Sequence, residues 1–115
     1  MARGDILTVD IPASSGRTGH EQVGYRPAIV VQTDVTDAGL PTTMIVPLTS
    51  NLSALRFPHT LRVDPSPQNG LTVPSVLLVF QLRAIDKGRL RNNIGRLEQN
   101  HVQQLEAEIR RMLDL

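Results

Sequence analysis

Only the final segment of this chain has helical periodicity: Val102, Leu105, Ile109, Met112 and Leu113 recur at the spacing that lines one face of a helix. Everything before it is cut by proline and glycine into short runs rich in β-branched residues. Short strands followed by a single helix point to an α+β chain: a small, strongly bent antiparallel sheet or partly open barrel, closed by a C-terminal α-helix. With 115 residues there is room for one core, so residues 1–115 are expected to form a single domain.

The strands can be placed from local pattern. Asp5–Asp10 and Pro27–Gln32 read as the first two, with a glycine-bearing loop over residues 11–25 that is long for a hairpin connection. Thr42–Leu48 reads as a third, in which Pro47 belongs at an edge, a bulge or the end. His59–Val63 alternates as a fourth. Ser75–Gln81 is a continuous apolar run between Pro74 and Arg83, the mark of a central strand buried on both faces. Asn92–Leu97 adds a short one. In the helix, Asn100 is placed to cap the first turn with Gln103 answering it, and Glu106 and Arg110 to pair on the wet side.

Composition removes several kinds of chemistry. There is no cysteine, hence no disulfide, thiolate metal site or cysteine nucleophile. His20, His59 and His101 lack metal-ligand spacing and the eleven carboxylates do not cluster, so neither a metal nor a cofactor is expected. No stretch approaches the roughly twenty apolar residues of a membrane span, and the start Met-Ala-Arg-Gly-Asp lacks the features of a signal peptide, so a cytoplasmic protein without membrane attachment is expected. A net charge of +1 does not advertise nucleic-acid binding, yet Arg83, Lys87, Arg89, Arg91 and Arg96 face only Asp86 in their stretch of sequence.

A chain without metal or cofactor can still cut RNA, because the substrate supplies the nucleophile, its own 2′-hydroxyl. The protein then provides a group that takes the 2′-OH proton, a cation for the charge on the phosphoryl oxygens, and a donor for the departing 5′-oxygen. Glu21 and His20 on the long loop, Arg26 before the Pro27 strand, and Thr49 with Ser50 after the third strand form a set of the right types. Each also has an ordinary structural reading as a solvated loop residue, a surface ion-pair partner or a turn hydroxyl.

Three blocks weigh against that ordinary reading. Gly19-His20-Glu21-Gln22-Val23-Gly24-Tyr25-Arg26-Pro27, Val46-Pro47-Leu48-Thr49-Ser50 and Gln81-Leu82-Arg83-Ala84-Ile85-Asp86, preceded by Arg3-Gly4-Asp5-Ile6, resemble in order and spacing the MazF/PemK family of toxin ribonucleases, over essentially the whole chain. The resemblance implies a compact SH3-like barrel with an added helix, working as a homodimer. It implies metal-independent, sequence-specific cleavage of single-stranded RNA, mRNA included, to 2′,3′-cyclic phosphate and 5′-OH ends. It further implies a cognate antitoxin that lays an acidic, disordered tail across the RNA groove.

Carried over by position, Arg26 becomes the catalytic cation and Thr49 the hydroxyl on the scissile phosphate. Glu21 and His20 match groups proposed as base or assistant in different relatives. Gln22, Ser50, Ser75, Gln81 and Arg83 become substrate contacts. The length of the first loop separately suggests that Ser14-Ser15-Gly16-Arg17 closes over RNA or is displaced by antitoxin. Where some relatives carry an acidic base before the last block, this chain has Phe80, which leaves Glu21, His20 or Arg26 itself as base. Phe80, in an apolar run, is expected in the core rather than stacked on a base. Two rivals are compatible with the sequence: a toxin of the same fold that poisons DNA gyrase, and a non-catalytic RNA-binding barrel, for which only Tyr25, Phe57 and Phe80 supply stacking surfaces.

Overall fold

The computed structural model of the chain describes residues 1–12 and 24–115. His20, Glu21 and Gln22, and the Ser14–Arg17 stretch, lie outside them. Among the described residues, strands β1 (Asp5–Ile11), β2 (Gly24–Val30), β3 (Thr42–Thr49), β4 (Thr60–Val63), β5 (Ser75–Leu78), β6 (Arg83–Asp86) and β7 (Leu90–Arg96) precede one helix, α1 (Gln99–Leu113). Every pairing is antiparallel, in the order β4-β5-β3-β2-β1-β7 with β6 also beside β3. The fold is the α+β arrangement that the sequence pattern implies.

The sheet bends at identifiable places. Against β7, β1 changes register between Ile6 and Leu7 and again between Leu7 and Val9, irregularities that sharpen local twist. The second bend corrects the sequence reading. Ser75–Gln81 is not one strand: β5 stops at Leu78, a 3₁₀ turn spans Val79–Gln81, and β6 begins at Arg83. Leu48 pairs with Leu77 and Ile45 with Arg83, so β3 moves three residues while its partner moves six. The three extra residues are taken up in the turn. Burial does not mark the break, since Val76, Leu77, Leu78 and Val79 are all buried, so the apolar run reads straight through it. Pro47 falls at the last β2–β3 pair, between the β3 residues that pair with β6 and those that pair with β5.

Alternation sorts the apolar residues onto two faces. Ile6, Ile29, Val46, Leu48 and Leu77 pack with Leu97 and with Val102 and Leu105 of α1. Leu7, Val9, Ala28, Val30, Ile45 and Ile85 form the opposite cluster. Val76 and Leu78 are covered by Ala54, from a 3₁₀ turn at Leu52–Arg56, and by Phe57.

The helix departs from expectation in detail. Its N-cap is Glu98, not Asn100, and Glu98 makes no capping bond, because its carboxylate accepts from Ser66 Oγ and from Asn69 Nδ2 at 3.2 Å. Glu106 pairs with Arg3 at 2.7 Å instead of with Arg110. Leu113 is 51% exposed, and the buried position on that face goes to Glu108, which is bonded to His59 Nδ1 at 2.7 Å and to Arg111. Burial of Val102 and Leu105, at about 1.5–3 kcal/mol each, is the main force that docks the helix.

Candidate active site

A cleft of about 380 Å³ opens where the ends of β2, β3 and β5 come together, and it is lined by Arg26, Pro27, Leu48, Thr49, Ser50, Gly70, Leu71, Thr72, Val73, Ser75 and Ile94. Strand register explains the meeting of four polar residues far apart in sequence. Ala28 pairs with Pro47, and two more steps along that register set Arg26 opposite Thr49. Thr49 pairs with Val76, and one more step sets Ser50 opposite Ser75. These four are residues that the sequence reading singled out.

Their environments differ. Arg26 and Ser50 are exposed, Thr49 is partly buried and Ser75 is 4% exposed. Thr49 Oγ1 accepts the Asn51 N–H at 3.2 Å, which engages the oxygen and leaves its proton as a donor. Ser75 Oγ donates to the Val73 carbonyl at 3.0 Å, tying the strand to the facing loop.

That loop, residues 64–74, forms the second wall and bridges the sheet edges β4 and β7. Arg96 N–H donates to Gln68 O at 2.9 Å. Gly70 has φ +69, and a Cβ there would lie 1.8 Å from Ile94 O; one on Gly95 would lie 2.3 Å from Asn69 O. Two backbones touch because both positions are glycine. Asn69 is fully buried: its Oδ1 accepts the N–H of Ser66 and of Leu71, each at 3.0 Å, and its Nδ2 donates to Asp64 O at 3.0 Å and to Glu98. Desolvation pushes the Glu98 carboxyl up, but hydrogen bonds from Ser66, its own backbone and Asn69 outweigh it and hold the group below its usual range. The sequence reading passed over this wall. Asn69-Gly70 between Pro67 and Pro74 is a turn signal, but it does not say what the turn faces.

Other residues that the sequence reading named lie away from the cleft or differ from expectation in burial. Gln81 and Arg83 do not line the cleft; with Phe80 and Leu82 they form a separate recess. Arg83 pairs with Ile45, four residues along β3 from Thr49, roughly 13 Å at strand rise. Phe80 is 37% exposed rather than core. The cationic stretch is partly neutralised as well: Lys87 contacts the buried Asp37 at 3.3 Å and Arg89 contacts Asp10 at 3.4 Å, while Arg91, still charged, donates to the Gly88 carbonyl at 2.7 Å. Among the described residues no three His, Cys, Asp or Glu converge as metal ligands, and no helix is long and apolar enough to cross a membrane.

The chain has relatives over its full length. Residues 2–113 match the family described as PemK-like, MazF-like toxin of type II toxin-antitoxin system. Endoribonuclease EndoA of Bacillus subtilis (strain 168) is 30% identical over 115 residues, covering 100% of this chain and 96% of the relative. The crystal structure of MazF from Deinococcus radiodurans superposes with a TM-score of 0.76 at 21% identity, covering 98% of this chain and 96% of that one. An endoribonuclease in complex with its cognate antitoxin, from Mycobacterial species, gives 0.67 at 17% identity, covering 98% and 92%.

Proposed function

The chain belongs to the PemK-like, MazF-like toxin family of type II toxin–antitoxin systems, and on that premise we propose that it is a metal-independent endoribonuclease that cuts single-stranded RNA at short sequences, mRNA included, and so inhibits translation. The observation that carries this reading is the convergence of Arg26, Thr49, Ser50 and Ser75 on one cleft. The 2′-oxygen attacks the adjacent phosphorus while a base removes its proton. The P–O5′ bond then breaks and the leaving oxygen takes up a proton, giving 2′,3′-cyclic phosphate and 5′-OH ends. Arg26 stabilises charge on the phosphoryl oxygens, a role its permanently protonated guanidinium suits, and hydrogen-bonds the leaving oxygen, which takes its proton from the conjugate acid of the base or from water. Thr49 holds a non-bridging oxygen through its hydroxyl proton. The base is Glu21 or His20, because a guanidinium that stays protonated has no site to accept the 2′-OH proton. Ser50, Ser75 and Gln22 position the strand, and Gln81 and Arg83 hold it beyond the cleft.

A cognate antitoxin with an acidic, disordered tail is the expected partner, in keeping with the relative that is known in complex with one. Homodimerisation and a cytoplasmic location belong to the same proposal. The test is cleavage of a long single-stranded RNA in EDTA, with end-group analysis, by wild-type, Arg26→Ala and Thr49→Ala protein. Discrete cuts with cyclic phosphate ends, lost in both variants, are the expected result. Intact RNA with folded wild-type protein rejects the reading in favour of a gyrase-directed toxin, and cleavage that survives in both variants places the site elsewhere.

A further inference from the structure

At the turn between β5 and β6 lies a surface with no part in the cleft. The Arg56 guanidinium carbon stands 4.7 Å over the centre of the Phe57 ring. The Phe57 and Phe80 rings follow, 5.4 Å apart and tilted by 60°. Phe80 is 37% exposed, and with Gln81, Leu82 and Arg83 it lines a recess of about 320 Å³. Arg83 has no carboxylate partner among the described residues, whereas Lys87 and Arg89 each have one. The chain holds only two phenylalanines, and the fold brings both to this spot.

Each part of this surface has a chemical preference. An exposed phenyl face backed by a second ring and a guanidinium suits a flat π-system. An unneutralised arginine beside it suits a phosphate. The recess is made by four consecutive residues, the breadth of one planar group rather than of a docking helix. A base attached to a phosphodiester satisfies all three conditions, and every base has a π-face to offer.

We infer that Phe80 and Arg83 form a nucleotide subsite of single-stranded RNA, with the base stacked on the Phe80 ring, which is propped by Phe57 and Arg56, and the phosphate held by Arg83. The inference rests on the ribonuclease reading and extends it: the strand is gripped at a second point, roughly 13 Å along β3 from the cleft. The three extra residues that turn β5 into β6 are what turn Phe80 outward.

The experiment uses the intact protein and a random-sequence RNA pool, fully 2′-O-methylated so that it cannot be cut and substituted with 5-iodouridine. Photo-cross-links mapped by mass spectrometry are expected at Phe80, in wild type and in Arg26→Ala alike. Phe80→Leu keeps an apolar contact for Phe57 but removes the ring; its RNA affinity by fluorescence anisotropy is expected to fall about fivefold or more, with an unchanged thermal midpoint and with Phe80→Tyr restoring binding. A protein that cuts unmethylated RNA and binds the methylated pool without cross-linking at Phe80, or with equal affinity in the leucine variant, overturns the subsite and leaves the ribonuclease reading standing. A protein that neither binds nor cuts RNA overturns both. Unchanged RNA affinity with weakened binding of an acidic peptide assigns the surface to a protein partner and rejects the inference.

Discussion

One wall of the cleft stands on paired strands, where Arg26, Thr49, Ser50 and Ser75 are set by the registers of β2, β3 and β5; the other, Gly70–Val73, belongs to a loop held by side chains and by a backbone contact. The strand wall draws its position from the sheet, so its polar residues are free to differ without loss of fold. The loop wall has no such reserve. Its place depends on Asn69, Glu98 and two glycines, and a change in any of them moves the surface that a ligand meets. The contrast separates residues that act from residues that hold.

Substitutions on the two walls should separate these roles. The largest effect is expected on the strand wall: Arg26→Ala should lower kcat on RNA by about 10²–10³, the cost of removing a transition-state donor, with thermal unfolding almost unchanged because the residue is exposed. A stability loss of the same size would blur the distinction. Gly70→Ala comes next, with a positive φ and a Cβ directed into Ile94 O; urea unfolding should show a loss of about 2–4 kcal/mol, and a loss below about 1 kcal/mol would mean that the loop yields. Asn69→Ala strands the N–H groups of Ser66 and Leu71, for about 1–3 kcal/mol, and should raise KM more than it lowers kcat because the wall shifts while the strand residues stay.

The smallest effect is the pH dependence of Glu98. Its folded-state pKa lies below the ordinary 4.5, so the stabilisation is complete above that value and disappears as pH falls through the folded-state value. Wild-type thermal midpoints should therefore decline below about pH 4.5, where Glu98→Gln declines less. Parallel curves for the two proteins would remove Glu98 from the loop's support.

How much of this was legible in the sequence follows from the same contrast. Strand positions and the apolar face of the helix come from local periodicity, and the resemblance picked out Arg26, Thr49, Ser50 and Ser75, which register then gathers on one cleft. Positions fixed by long-range geometry did not come through. The turn at Val79–Gln81 is as apolar as the strand before it, so periodicity placed Phe80 in the core. Strand β6, Arg-Ala-Ile-Asp, lacks strand-like composition and exists because β3 has a free stretch beside it. Asn100 looks like a better cap than Glu98, but Glu98 is claimed by the loop.

The helix contacts bear on the order of folding. Arg3 meets Glu106 across 103 positions of sequence, and His59 meets Glu108 across 49, so α1 closes some of the longest loops in the molecule. Fifteen residues are marginal as an isolated helix, and the surface that stabilises this one exists only after β1, β3 and β5 have paired. Docking of α1 is therefore expected to come late, with its contacts largely unformed at the rate-limiting barrier. Truncating Leu105 should steepen the escape from the native state and leave the refolding arm of a chevron nearly untouched.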